Sequence, residues 1–186
     1  MWLCVPHMAT DEYVTNLARL ILHGSDGWNP YMSNTPAPLY PPLSTNLRLF
    51  VEYSNEMWNY GFSQWGWANA QAASQGLSQA AWVARRASGI WKIFEGVWGA
   101  AHTQRIVRVG AGWTIDKAYC QRFIDEAATN GVKPHILSVA PYFGNDIQEW
   151  VWSLGPAFFT NKCEAHLETA HDEWQRRILS GVSGTS

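Results

Sequence analysis

The chain has 186 residues, a formal net charge of -2 and only 15% charged side chains. That is length enough for one domain with a real core, and too little positive charge to favour nucleic acid or an anionic membrane surface as partner. Met1 runs straight into the strand-like WLCVPH, with neither a basic n-region nor an apolar h-region, and no apolar run is long enough to span a membrane.

Four short apolar runs read as buried strands: residues 2–5, 47–53, 105–109 and 135–140. After the first, ATDEYVTNLARLILHG reads as a helix. Thr10 or Asp11 caps it, acids fill its first turn, Tyr13, Leu17, Leu20 and Ile21 form its apolar face, and Gly24 stops it. Residues 27–46, GWNPYMSNTPAPLYPPLSTN, are too proline-rich for a helix or a central strand and read as an ordered surface loop.

After the second strand, Ala-, Gln- and Trp-rich helices are expected over 62–75 and 78–101. Ile90, Trp91, Phe94 and Trp98 form a core stripe at helical spacing. The third strand leads through GAGWT into an amphipathic helix over 116–130, stopped by Gly131. The tail beyond the fourth strand reads as mostly helical, fraying over about 180–186.

Strand–helix–strand alternation at these spacings means βαβ units and a parallel sheet. A Rossmann-like fold expects GxGxxG between its first strand and helix, and VPHMATDEY contains no glycine. A (β/α)8 TIM barrel fits better, because His7, Asn55 with Glu56, Trp113 and Tyr142 all fall just after strands, where such barrels build their sites. Four strands make half a barrel, and the whole chain, 1–186, reads as one partial barrel domain.

Alternation puts Phe50, Glu52, Ser54 and Glu56 on one side of the second strand and Leu47, Leu49, Val51 and Tyr53 on the other. With the second set against helices, Glu56 stands at the barrel mouth between Tyr53 and Trp58. A carboxyl walled by aromatics loses solvation and holds its proton, which suits a general acid. A loop salt bridge or a helix cap is the alternative reading of a lone Glu after a strand. Glu52, deeper in, needs a partner such as an Arg or a hydroxyl, with Arg48 and Arg108 as candidates.

Twelve tryptophans are the compositional outlier. Each has a broad apolar face and one N–H donor, which suits sugar rings as well as cores. Most are expected in the core, with Trp113 and Trp58 available to stack on sugars. Trp58 also lies four before Phe62 and seven before Trp65, so helix core is an equal reading for it. Cys4, Cys120 and Cys163 show no ligand spacing; one disulfide is open to them in an oxidising compartment, and buried free thiols are the preferred reading. In CEAHLETAHDEW, His166 and His171 lie five apart, about 140° around a helix. They do not share a face as an HExxH pair does, so Glu164, His166, Glu168, His171 and Asp172 read as a solvated helix face. No metal and no cofactor are expected.

VEYSNEMWNYGFSQ resembles the fourth-strand motif of the clan of retaining glycoside hydrolases built on (β/α)8 barrels, which includes many cellulases, mannanases and xylanases. With WLCVPHMATDEYVTNLARLI before it and APYFG after it, the likeness extends over nearly the whole chain, toward bacterial sequences described as cellulose-binding proteins or glycosidases. The resemblance implies that the four strands are the third to sixth of a barrel, Glu56 the acid/base and Asn55 the ligand of the sugar 2-hydroxyl. It also implies that Tyr142, in APYFG, hydrogen-bonds the nucleophile. His7 could face the same cleft.

Retention needs a second carboxylate about 5–5.5 Å from the first, which in the clan ends strand seven. Asp146, Glu149, Glu164, Glu168, Asp172 and Glu173 follow no further apolar strand. The expectation is therefore an internal fragment of a retaining glycoside hydrolase acting on a β-linked plant-type polysaccharide. It has no normal hydrolytic activity alone, and its parent is secreted or periplasmic. A non-catalytic carbohydrate (cellulose)-binding protein with the same aromatic cleft is the alternative. The expected partner is an oligo- or polysaccharide, and nothing in the sequence bears on oligomeric state.

Overall fold

Four strands separated by helices make up a computed structural model that describes residues 1–100 and 103–140. The order is β1 (Trp2–Val5), α1 (Asp11–His23), β2 (Leu49–Tyr53), α2 (Ser63–Ser74), α3 (Gln79–Trp98), a 3-10 turn (Thr103–Arg105), β3 (Ile106–Trp113), α4 (Lys117–Thr129) and β4 (Ile136–Ala140). The expected tail helices, Tyr142, Cys163 and the His166/His171 cluster lie outside the described residues.

Helix ends follow local chemistry. The Thr10 hydroxyl accepts the Tyr13 N–H at 3.1 Å, and Ser78 and Asp116 cap α3 and α4 in the same way. Gly24 ends α1 at φ 82°, ψ -163°, a region essentially reserved for glycine. Beyond it the Pro-rich segment is an irregular loop held at both ends. Ser25 and Tyr40 exchange backbone hydrogen bonds of 3.0 Å, and Arg105 donates to the carbonyls of Leu43, Ser44 and Leu47.

The sheet is all parallel, in the order β1-β2-β3-β4. Its register pairs Leu3 with Val51, Cys4 with Glu52, Glu52 with Val109, and Val109 with Ile136. The fold is therefore α/β, with strands added in one direction. No reversal of strand order occurs among the described strands, so they contain none of the switch-point crevice that a doubly wound sheet uses for ligands.

One sheet face, carrying Val5, Leu49, Val51, Tyr53 and Ile106, is buried with the helices. α3 is the centre of that layer, packing on α1, α2, α4 and on strands β2 and β3. Its Trp91, fully buried, donates its indole N–H to the Val51 carbonyl at 3.0 Å and meets Phe123 of α4 edge to face. The expected stripe of Ile90, Trp91, Phe94 and Trp98 is all in this core.

β3 is longer than its sequence suggests, continuing through Gly110 and Gly112 to Trp113. These glycines let α4 approach the sheet. A Cβ on Gly110 would stand 2.7 Å from Phe123 Cε1, and one on Gly112 would stand 2.5 Å from Cys120 Sγ. Phe123 is itself buried and cannot swing away. Gly110→Ala is therefore expected to lose about 1–3 kcal/mol, read as a lower urea midpoint. An unchanged midpoint would mean that α4 does not press on the strand there.

Candidate functional site

β2 alternates as expected through Tyr53 and then stops. Ser54 (φ 59°) and Glu56 (φ 45°) are the described non-glycine residues in left-handed conformation, a state that costs on the order of 1–3 kcal/mol each. The two flank Asn55, so strand parity does not carry to Glu56, and the turn itself sets its position.

That turn, 54–62, is braced from inside. Glu56 is half-buried, and its Oε2 accepts a 2.8 Å hydrogen bond from Asn59 Nδ2. The Asn59 Oδ1 in turn accepts the Gly61 N–H at 2.9 Å. Gln64 donates to the Asn55 carbonyl at 2.8 Å, and Gln79 to that of Met57 at 2.5 Å. The Asn55 side chain is exposed at the end of the strand.

The aromatics that bracket Glu56 in sequence are engaged with other groups. Tyr53 packs on Trp82, and its hydroxyl donates to the His7 carbonyl at 2.8 Å. Burial holds that phenol above its ordinary pKa. Trp58 is buried in the loop before α2, not in a helix, and stacks on Trp113 at the end of β3. Their ring centroids are 5.1 Å apart and their planes 14° from parallel. The two indoles thus cover each other; a sugar between them would require the planes to part to about 7–8 Å, twice a van der Waals contact. His7 is half-buried and meets Trp67 edge to face at 5.3 Å.

Beside the Trp58–Trp113 pair lies a cavity of about 410 Å³. Tyr60 and Trp65 line it, with residues from the first turns of α3 and α4. Glu56 does not. A larger cavity of about 820 Å³, lined by Arg48, Phe50, Arg108 and His135 among others, opens at the opposite ends of the strands, away from the Asn55–Glu56 turn.

Glu52 lies on the sheet face away from the helices and is buried, as expected, but its partners are new. Trp2 Nε1 donates to its Oε2 at 2.7 Å, and the Cys4 thiol approaches the same oxygen at 3.8 Å. Neither expected arginine serves. Arg108 pairs in register with Val51 on the helix face and binds Glu95 at 2.6 Å, while Arg48 is exposed. Cys4, expected to be buried, is exposed on β1.

Desolvation raises the Glu52 pKa against the lowering effect of the Trp2 and Cys4 hydrogen bonds. An acid raised in the folded state stabilises the fold while protonated, and that contribution is lost as pH climbs from the ordinary carboxylate range through the raised value. Stability is therefore expected to fall over that window, and Glu52→Gln to remove that part of the slope. Parallel pH profiles of urea midpoints for the two proteins would contradict this.

Among the described residues, no group of three His, Cys, Asp or Glu side chains is arranged to hold a metal. No described helix is long and apolar enough to cross a membrane. Asn59, which holds Glu56, was not singled out from the sequence, although the short NEMWN spacing carries it. Tyr119 and Arg122 on α4 also line the aromatic cavity and left no local signal. Comparison with protein-family models, characterised proteins and solved structures gives no match.

Proposed function

We propose that the turn after β2 is the acid/base half of a retaining glycoside hydrolase site on a (β/α)8 barrel, of which β1 to β4 are the third to sixth strands. Glu56 protonates the leaving glycosidic oxygen, Asn55 holds the sugar 2-hydroxyl, and the substrate is a β-linked plant-type polysaccharide met outside the cell or in the periplasm. The observation that carries this reading is the backbone at Ser54 and Glu56. Two strained residues around an Asn-Glu pair, at the carboxyl end of a parallel strand, are a local cost of the kind that functional sites retain. The unidirectional strand order and the resemblance of VEYSNEMWN to the clan motif support it.

The other acids near the strand ends have separate tasks: Asp11 binds Arg86, Asp116 caps α4, and Glu52 binds Trp2. The described residues thus supply one carboxylate for a two-carboxylate reaction. That observation favours, as the second reading, a carbohydrate-binding protein that uses the same cleft without catalysis.

Titration of the chain with cello- and xylo-oligosaccharides, followed by tryptophan fluorescence, tests what the two readings share. A saturable change is expected, weakened in Trp113→Ala. An unchanged signal at millimolar sugar counts against both.

A further inference from the structure

The cavity beside the Trp58–Trp113 pair has features that a neutral glucan or xylan does not call for. Resting on the carbohydrate reading above, we propose that it is a subsite for an acidic sugar: a uronate residue whose carboxylate pairs with Arg122 while its ring lies against Tyr60 and Trp65. The volume, about 410 Å³, falls within the range of small-ligand sites, which are largely aromatic with a few convergent polar groups. Tyr60 is 74% exposed, so its ring face is open to a ligand in this space.

Arg85, Arg86 and Arg108 each hold a carboxylate, whereas the guanidiniums of Arg122, exposed on α4, and of Arg48, at the other end of the sheet, have no partner among the described residues. Of the two, Arg122 borders the aromatic cavity. A guanidinium fork matches a carboxylate in two-pronged geometry. Asp116 also lines the cavity, its carboxylate accepting the Tyr119 N–H at 2.8 Å, and it opposes an anion on its own side of the space.

The amino-terminal turns of both α3 and α4 border the space, each worth roughly half a positive charge. The α3 terminus, capped by the neutral Ser78, carries no acid, whereas the Asp116 carboxylate offsets the positive end of α4. Tyr119 is a further lining residue, its hydroxyl buried away from the open space.

The test titrates the full chain with a glucuronic-acid-branched xylo-oligosaccharide and with its unbranched counterpart, in wild type and in Arg122→Gln. Far-UV circular dichroism verifies the fold of the variant. The branched sugar is expected to bind on the order of tenfold more tightly, as a charge-assisted hydrogen bond provides. In Arg122→Gln that preference is expected to vanish while affinity for the unbranched sugar is unchanged. Equal affinities in wild type, or a preference that survives Arg122→Gln, overturn the acidic-sugar subsite and leave the carbohydrate reading standing. Binding of neither sugar overturns both.

Discussion

Glu56→Gln is expected to lower azide-supported cleavage of an aryl β-glycoside with a poor leaving group by on the order of 10²–10⁴-fold, the usual contribution of general acid catalysis. Azide stands in for the second carboxylate. It attacks the anomeric carbon as the bond to the aryl oxygen breaks, and Glu56 gives its proton to that oxygen, so the products are the glycosyl azide and a neutral phenol. Glutamine keeps the shape of the side chain and its contact with Asn59 but has no proton to give. A dinitrophenyl glycoside, whose leaving group departs without a proton, should lose far less. Equal losses for the two leaving groups would remove Glu56 from the acid role. If wild type yields no azide-dependent product, the catalytic reading gives way to the binding one. Without azide the chain is expected to show no turnover, since the covalent step needs a nucleophile.

Trp91→Ala is expected to cost about 3–5 kcal/mol, a large part of the 5–15 kcal/mol that holds a typical domain folded. The indole is fully buried at the centre of α3, touches Phe123 of α4, and gives its N–H to the Val51 carbonyl. Alanine leaves a cavity where the helical layer meets the sheet. Trp91→Phe keeps most of the volume and drops the donor, for an expected loss of about 1 kcal/mol. Urea unfolding measures both; a loss below that of Trp91→Phe in the alanine variant would show that α3 is not the keystone of the core.

What was legible in the sequence was what local chemistry controls. The Thr10 cap, the Gly24 stop and the Asp116 start of α4 fall where their side chains predict, and β1 spans the residues read as a strand. β3 was read short: its apolar run ends at Val109, yet the strand continues through Gly110 and Gly112, on which α4 closes. The partner of Glu52 was misread for a related reason. Arg108 is charged and close along the ladder, but it faces the helices, and the donor that reaches Glu52 is an indole from the neighbouring strand.

The Asn55–Glu56 pair and the aromatics around it were visible as a short motif, because the residues that make a turn strained are neighbours in the chain. By itself the sequence determined the βαβ alternation, most helix starts and the core stripe of α3, since periodicity and capping act over a few residues. It misplaced the inner face of α1, where Val14, Ala18 and Ile21 are buried and Tyr13 and Leu20 are exposed, and it ran α3 past its end at Trp98. Only the tertiary structure decided the register of the parallel sheet, the closure of Trp58 on Trp113 and the gathering of Tyr60, Trp65, Tyr119 and Arg122 around one cavity. Trp58 and Trp113 belong to different βα units. Their meeting depends on the packing of those units and is written in no local pattern.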